Sequence, residues 1–175
     1  EIAQSSSANN RMLENPNPKI FKTIDSQTKY DEIKKLKENQ STDLSEEGFD
    51  ALEVFEMIRH ITDPEHPYTL EQLNVVSLEN ISVDDKENKI RITFTPTIPH
   101  CSMASLIGLT LRVKLLRSLP ERFKVDILIT PGSHNQEKAL NKQLNDKERV
   151  AAAMENSQIL DVINKGIQAS DYLDQ

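Results

Sequence analysis

The sequence contains a single cysteine, Cys101, among its 175 residues. One thiol excludes a disulfide within the chain, and it excludes a zinc or iron–sulfur site built from several cysteines of one chain. Proteins with so few cysteines are typical of reducing, intracellular compartments, so we expect a cytoplasmic protein.

Tryptophan is absent, and aromatic residues make up only 5% of the chain. Basic residues are not in excess, because 21 Lys and Arg stand against 28 Asp and Glu, a formal net charge of −7. Nucleic-acid binding relies on Lys and Arg at phosphates and on aromatic platforms for bases, so the composition argues against a direct nucleic-acid binder. No apolar run approaches the ~20 residues of a membrane span, and we expect no membrane association.

Phosphate-binding glycine loops are also missing, because the four glycines are scattered along the chain. A Cys-dependent phosphatase loop needs an Arg at the sixth position after the cysteine, and Ile107 stands there. A Cys–His hydrolase or transferase with His66 or His134 as the base stays open as an alternative. Nothing in the sequence alone brings either histidine to Cys101.

The chain divides into a polar segment and a domain. Residues 1–48 carry few branched apolar residues, so they are predicted to be largely disordered, with Leu13, Ile20 and Phe21 available to dock onto a surface. Residues 49–175 are predicted to form a single α/β domain with a frayed C-terminal tail.

Hydrophobic periodicity predicts the elements of this domain. Helices are expected at 49–61, 103–119 and 146–154 and around 159–163, with one short helical turn at the capping box of residues 69–72. Strands are expected at 75–83, 90–95 and 123–129, and residues 135–144 form a short helix or an ordered loop. The order α-β-β-α-β-α-α indicates an α/β (α+β) fold with a small mixed sheet of three to four strands and packed helices.

Cys101 is the residue best placed for chemistry. Ser102 is a good N-cap for the following helix, with Asn145 in the same role before residue 146. A thiol at a helix N-terminus is favoured as a thiolate by the positive end of the helix dipole, and His100 could add positive charge. The alternative is a buried, inert cysteine at a joint between loop and helix.

Three further groups are candidates for contacts with partners. A local basic group is either a docking face for an acidic partner or a solvated rim: Lys114, Arg117, Arg122 and Lys124. A turn cluster is either a partner site or a set of local hydrogen bonds: Asp63, Glu65 and His66. A polar stretch is either a partner site or a capped helix start: Asp146, Lys147 and Arg149.

Four segments carry a resemblance to a known family. They are DPEHPYTLEQLNVV (63–76), FTPTIPHCSMASLIGL (94–109), LLRSLPERFKVDILITPGSH (115–134) and NKQLNDKERVAAAMEN (141–156). In these blocks and their spacing the chain resembles the MIP-eighteen-like family of eukaryotic cytosolic iron–sulfur (CIA) assembly factors, over residues 49–165. LENPNP at 13–18 is similar to the leader of the paralogue that serves many clients, whereas VAAAMEN is closer to the other paralogue.

The resemblance implies a non-enzymatic adaptor and cluster-transfer subunit. Such a subunit works beside a WD40 propeller protein and a HEAT-repeat adaptor, and the complex delivers [4Fe–4S] clusters to cytosolic and nuclear apoproteins. The family's reactive cysteine corresponds to Cys101, in a groove with Pro99, His100 and Ser102. The alternative is a pure scaffold with an inert cysteine.

The resemblance also bears on cofactor and assembly state. One thiolate per chain cannot hold a [4Fe–4S] cluster, so no stably bound cofactor is expected, and Cys101 would bind a metal only in a transient cluster shared with a partner, a second copy or a small thiol. Family members also dimerise by exchanging elements, which leaves a homodimer open.

Overall fold

The computed structural model describes residues 15–23, 48–100 and 102–171, with side chains up to Gln168. Cys101 and most of the segment predicted to be disordered therefore lie outside the described residues, as does the end of the predicted frayed tail.

A three-stranded mixed sheet forms the centre of the domain. Its strands are β1 (Ile81–Asp84), β2 (Lys89–Phe94) and β3 (Lys124–Ile129), in the order β1-β2-β3. β1 and β2 form an antiparallel hairpin, whereas β3 lies parallel to β2. Alternate residues of the two longer strands point into the core: Ile90, Ile92, Phe94, Val125, Ile127 and Ile129. The mixed α/β architecture predicted from the sequence is confirmed, with three strands among the described residues.

Helix α1 (Ala51–Arg59) begins at a capping box. Asp50 Oδ1 accepts hydrogen bonds from the backbone N–H groups of Leu52 and Glu53, and Glu53 Oε2 accepts from the Asp50 N–H. These bonds satisfy backbone donors that the first turn of a helix otherwise leaves unpaired. The helix packs its apolar side against β1 and against the helix at Ala104–Ser118.

A buried ion pair joins the end of α1 to the turn after it. Arg59 is 3% exposed, and its Nε and Nη2 atoms both lie 2.8 Å from Glu71 Oε2. The pair holds the turn that precedes β1, where the predicted capping box is also present: Thr69 and Gln72 bond each other's backbone N–H. Leu73 N–H donates to Thr69 O at 3.1 Å, so these residues form the single helical turn that was predicted.

The first predicted strand is too long. Only residues from Ile81 onward are strand, and Leu78–Asn80 is a short 3₁₀ helix. The Val75 N–H donates to Leu70 O in the preceding turn, and only the Val75 carbonyl reaches the end of β2, where it accepts from Thr95 N–H. With its N–H bonded to the turn, Val75 does not continue the ladder between β1 and β2.

Helix α2 (Ala104–Ser118) connects β2 to β3 as the crossover of a parallel βαβ unit. It is buried over most of its length, as its near-continuous apolar sequence predicts. Pro120 follows its C-cap Leu119, and the helix packs against α1, β3 and α5.

The outer edge of β3 is covered by side chains of helix α3 (Glu137–Asn145), where a fourth strand would otherwise pair. Asn145 Oδ1 accepts from Ile127 N–H and its Nδ2 donates to Ile127 O, while Asn141 Oδ1 accepts from Ile129 N–H. Two asparagines one helical turn apart thus take the place of a neighbouring strand and block the exposed edge.

Asn145 also bonds a half-buried cation. Its Oδ1 lies 2.6 Å from Arg112 Nη2, which donates to Val125 O as well. Burial lowers the pKa of the Arg112 guanidinium, and the Asp126 carboxylate opposes that shift.

Two further helices complete the domain: α4 (Lys147–Met154) and α5 (Ser157–Asp171). The N-cap of α4 is Asp146, which accepts from the N–H groups of Glu148 and Arg149. The prediction that Asn145 caps this helix is wrong, because Asn145 is the last residue of α3 and its side chain is committed to β3. Asn156 caps α5 in the same way as Asp146 caps α4.

We expect Asn145→Ala to destabilise the protein by about 2–4 kcal/mol, because it leaves the backbone N–H and carbonyl of Ile127 without their partner and removes one of the two acceptors of Arg112. Urea unfolding followed by circular dichroism measures the loss. Lys142→Ala, at an exposed position of the same helix, is the matched control and should stay within about 0.5 kcal/mol of wild type. Equal stability of the two variants would contradict the edge-covering role.

Gly108→Ala should cost about 1–3 kcal/mol through overpacking between α2 and α3. A Cβ at Gly108 would lie 2.5 Å from Leu144 Cδ1, and Leu144 is fully buried. The same replacement at an exposed helical site would stabilise by about 1 kcal/mol, so the sign of the effect is diagnostic. Adding Leu144→Val should recover part of the loss, and strictly additive effects in the double variant would argue against this contact.

Candidate functional site

The two parallel strands end side by side in the same dipeptide. Thr95-Pro96 follows β2 and Thr130-Pro131 follows β3, and parallel pairing places both loops at one edge of the sheet. In α/β proteins the carboxyl edge of parallel strands is where ligands and reactive groups concentrate. We call residues 95–103 the cysteine loop and residues 130–136 the facing loop.

Hydroxyl groups hold the starts of the two loops together. The Thr130 hydroxyl donates to Phe94 O at 3.2 Å, and the Thr95 and Thr130 hydroxyl oxygens are 2.7 Å apart. Each hydroxyl has one proton, so Thr95 is the donor to Thr130 in this arrangement. The Thr130 N–H also donates to Phe94 O, at 2.8 Å. We call this set the threonine clamp.

A second tie lies further along the loops, where Asn135 N–H donates to Pro99 O at 2.9 Å. The facing loop is itself braced. Ser133 bonds Thr130 O through both its N–H and its hydroxyl, and Gly132 N–H donates to Glu137 Oε2. Gly132 has φ +78°, a conformation that glycine adopts without strain at the third position of a Pro-Gly turn. The facing loop is thus a rigid support for the cysteine loop.

The tip of the cysteine loop faces solvent. Pro99, His100 and Ser102 are exposed, whereas Pro96 and Ala104 at its two ends are buried. Cys101 itself lies outside the described residues, between two exposed neighbours.

The prediction that Ser102 is the N-cap of the helix is wrong. The cap residue of α2 is Met103, which already has helical dihedral angles (φ −74°, ψ −13°), and the first helical residue is Ala104. An N-cap serine would need an extended backbone, and residues 102 and 103 form a turn instead. The helix therefore begins three positions after Cys101, which weakens the argument from the helix dipole, whose effect is confined to the first turn.

The structure separates the two histidines that were considered as bases. His134 is buried in the facing loop, next to Asn135, whose N–H bonds the cysteine loop. The His134 Nδ1 atom accepts a hydrogen bond from the Gln136 N–H at 3.0 Å. In that arrangement a neutral ring carries its proton on Nε2. His66 is instead engaged by Asp63 and by Asn15.

The turn cluster of Asp63, Glu65 and His66 is a hydrogen-bond network. Asp63 Oδ1 accepts from the backbone N–H groups of Glu65 and His66 and faces His66 Nδ1 at 3.2 Å. His66 also reaches Asn15 through its Nε2 atom, and the role of this cluster in partner binding stays a prediction. No group of three or more His, Cys, Asp or Glu side chains among the described residues is arranged to hold a metal ion.

The predicted basic group does not form one face. Lys114 is buried in α2, Arg117 donates to Asn164 of α5, and Arg122 pairs with Asp85 in the hairpin turn at 2.6 Å. Lys124 is exposed at the start of β3.

The polar stretch before α4 is a capped helix start, as the simpler interpretation predicts. Asp146 is the cap and pairs weakly with Arg149, at 3.6 Å, while Lys147 and Arg149 are exposed.

Sequence reasoning missed the threonine clamp and the tie from Asn135 to Pro99. A signal for the clamp was present, because FTP (94–96) and ITP (129–131) place the same dipeptide at the ends of two predicted strands. Recognising it required knowing that these strands are parallel neighbours.

The described helices include none that is long and apolar enough to cross a bilayer.

Comparison with known proteins adds the family. A sequence model of iron–sulfur cluster assembly proteins matches residues 52–129, which include all three strands, α2 and the cysteine loop. MIP18 family protein galla-2 of Drosophila melanogaster is 54% identical over 159 residues, covering 90% of this chain and 96% of the relative. Cytosolic iron-sulfur assembly component 2B of Mus musculus is 51% identical over 90% of this chain and 93% of its own length, and the protein of that name in Dictyostelium discoideum is 48% identical over 90% and 99%.

These matches span nearly whole proteins on both sides, so the similarity extends beyond the sheet and α2 to the helices at the C-terminal end and to sequence before the domain. The predicted family is confirmed: the chain belongs to the MIP18 family of iron–sulfur cluster assembly proteins.

Proposed function

We propose that this chain is an adaptor and cluster-transfer subunit of cytosolic iron–sulfur protein assembly, with Cys101 as its reactive group. Relatives named for cytosolic iron–sulfur assembly support the assembly role and a cytoplasmic location. The main structural support for Cys101 as the site is the threonine clamp, which holds the cysteine loop at the carboxyl edge of two parallel strands. In this loop His100 and Ser102 are exposed.

The chemistry follows from ligand number. A [4Fe–4S] cluster is held by four thiolates in its usual protein sites, and Cys101 supplies one. The cluster is therefore cargo, bridged between Cys101 and ligands of a donor, a client or a second copy. An exposed loop suits such sharing, because a buried thiolate could not reach a second protein. This favours transfer over storage and over a reaction completed on this chain.

A braced loop serves this role because transfer needs the thiol at a defined position. The ties from Thr130 and Asn135 reduce the conformations open to the cysteine loop before a partner arrives. Binding then loses less conformational entropy than it would with an unrestrained loop.

The partners proposed for this subunit are a WD40 propeller protein, a HEAT-repeat adaptor and apoproteins of the cytosol and nucleus. Five of the basic candidates are exposed: Arg117, Arg122, Lys124, Lys147 and Arg149. Lys124, Lys147 and Arg149 are best suited to docking, because Arg117 donates to Asn164 and Arg122 pairs with Asp85. Lys114 is buried and suits a structural role.

A Cys-dependent hydrolase or transferase is the second candidate. His134 supports it, since this buried histidine belongs to the loop that bonds Pro99. An enzyme of this type would require His134 as a base, and His134→Gln would then abolish activity while leaving partner binding intact.

We expect Cys101→Ala to fold normally and to retain the propeller and HEAT-repeat proteins from a cytosolic extract, yet to reduce cluster loading of an iron–sulfur client to background. Tagged full-length protein, client iron content and a thermal melt are the measurements. Thr97→Ala, in the same loop, is the matched control and should support normal loading. Normal client loading by Cys101→Ala would leave only a scaffold role.

Thr130→Val and Thr95→Val should each destabilise by about 1 kcal/mol, and the double variant by less than their sum, because both remove the same hydrogen bond. Client loading per folded molecule should fall in all three, with partner binding unchanged. Thr93→Val, two residues before Thr95 on β2, is the control for the same chemical change. Additive stabilities together with unchanged loading would show that the clamp has no part in the site.

A further inference from the structure

Residues 15–23, which we call the leader, lie against the turn between α1 and β1. Asn15 O accepts a hydrogen bond from His66 Nε2 at 2.5 Å, and Asn15 N–H faces Glu65 Oε1 at 3.4 Å. Six residues further on, Phe21 N–H donates to Gln72 O at 2.7 Å. The leader is thus fastened at both ends to the surface formed by residues 63–79, which we call the groove.

All three of these bonds use main-chain atoms of the leader. Its large apolar side chains are only partly covered, because Ile20 is 55% exposed and Phe21 is 44% exposed. Pro16 and Pro18 fix two backbone φ angles of the leader, which bends at residues 15–17 and continues without helix or strand over residues 18–23. The groove therefore bonds the main chain of a proline-containing segment, and these bonds do not depend on the side chains that the segment carries.

The leader also leaves part of the groove unfilled. Phe21 and Lys22 form one wall of a cavity of about 280 Å³ whose other side is lined by Phe55, Glu71 and Val76. This space could accept a side chain that the leader does not supply.

The groove presents groups that require an occupant. His66 is only 6% exposed, and both of its ring nitrogens have acceptors as neighbours, Asp63 Oδ1 on one side and Asn15 O on the other. Removing the leader takes away the acceptor for Nε2 and leaves Gln72 O without its donor. Another peptide with the same main-chain groups would restore both bonds.

We propose that the groove is a docking site for an extended, proline-containing peptide of another protein, and that the leader occupies it in competition with that peptide. The incoming peptide offers a carbonyl to His66 Nε2 and, six residues later, an N–H to Gln72 O. This is recognition through the main chain, as in other grooves that bind extended peptides. The inference does not depend on Cys101 or on the proposed cluster transfer.

The tether makes the competition adjustable. Residues 24–47 join the leader to the domain, so leader binding is intramolecular, with an effective concentration on the order of millimolar. A peptide of moderate affinity would exchange with the leader only when presented at high local concentration, for example by a protein already bound elsewhere on this chain.

The test uses the full chain with Phe21→Pro, which removes the N–H that donates to Gln72 O without changing the domain. Ile20→Pro is the matched control, because the Ile20 N–H has no hydrogen-bond partner among the described residues. The probe is a fluorescent peptide with the sequence of residues 13–23, followed by polarisation. Two further probes carry Phe21→Pro, or alanine in place of both Ile20 and Phe21.

We expect the Phe21→Pro protein to bind the first probe about tenfold more tightly than wild type, since its own leader no longer competes. Ile20→Pro protein should behave as wild type. The probe with Phe21→Pro should not bind, and the alanine probe should bind within about threefold of the original, because the contacts are main-chain.

Equal binding by wild type and Phe21→Pro protein, or no binding by either, would overturn the proposal. Loss of binding by the alanine probe would restrict the groove to the chain's own leader and exclude a foreign peptide. Hydrogen exchange at the Phe21 amide of wild type gives a measurement free of variants: protection that falls when the first probe is added supports exchange. Protection that rises with protein concentration would assign the groove to the leader of a second copy and contradict the proposal.

Discussion

The parallel pairing of β2 with β3 is the constraint on which the rest of the structure depends. Parallel neighbours need a crossover, and α2 supplies it, buried between the sheet and the other helices. The same pairing brings the carboxyl ends of two strands together, so the loops that follow them must meet. The threonine clamp and the Asn135 tie turn that proximity into a fixed arrangement.

A small sheet with one parallel pair has an edge to protect, and this chain does so with side chains. Asn141 and Asn145 bond the outer edge of β3 from α3, and the close approach of α3 to α2 is possible because residue 108 has no side chain. Edge protection and helix packing are therefore one arrangement. The facing loop, which carries Pro131 and Gly132, connects β3 to α3. The position of this loop, and with it the support of the cysteine loop, therefore depends on how α3 packs.

Much of the fold could be predicted from the sequence because it depends on local signals. The alternation in β2 and β3 and the apolar run of α2 are each readable within a short window. The first strand was overextended because Val75 resembles a strand residue locally, while its backbone is bonded to Leu70 and Thr95. Such long-range bonds leave no mark in a hydrophobic pattern.

The cap positions show the same limit. Ser102 and Asn145 are residue types that often cap helices, yet neither is a cap here. Ser102 lies in a turn before the helix begins, and the Asn145 side chain bonds the edge of β3. The Arg59–Glu71 pair was likewise invisible in the sequence, because its two residues lie in different elements. Docking of Ile20 and Phe21 onto a surface was predicted, but the sequence did not show which surface. The family could be identified from ordered sequence blocks, since these integrate many positions at once. The contacts between residues of different segments could be identified only in the structure.

If the proposed function is correct, the braced cysteine loop presents an accessible, reactive thiol. Because the chain has one cysteine, the rate at which the full-length protein reacts with a thiol reagent reports on Cys101 alone. The direct measurement compares that rate in native buffer with the rate in denaturant at the same pH. The account predicts native labelling at least as fast as labelling of the unfolded chain. Native labelling that is many times slower, and that becomes fast only on unfolding, would identify Cys101 as a buried structural residue and contradict the account.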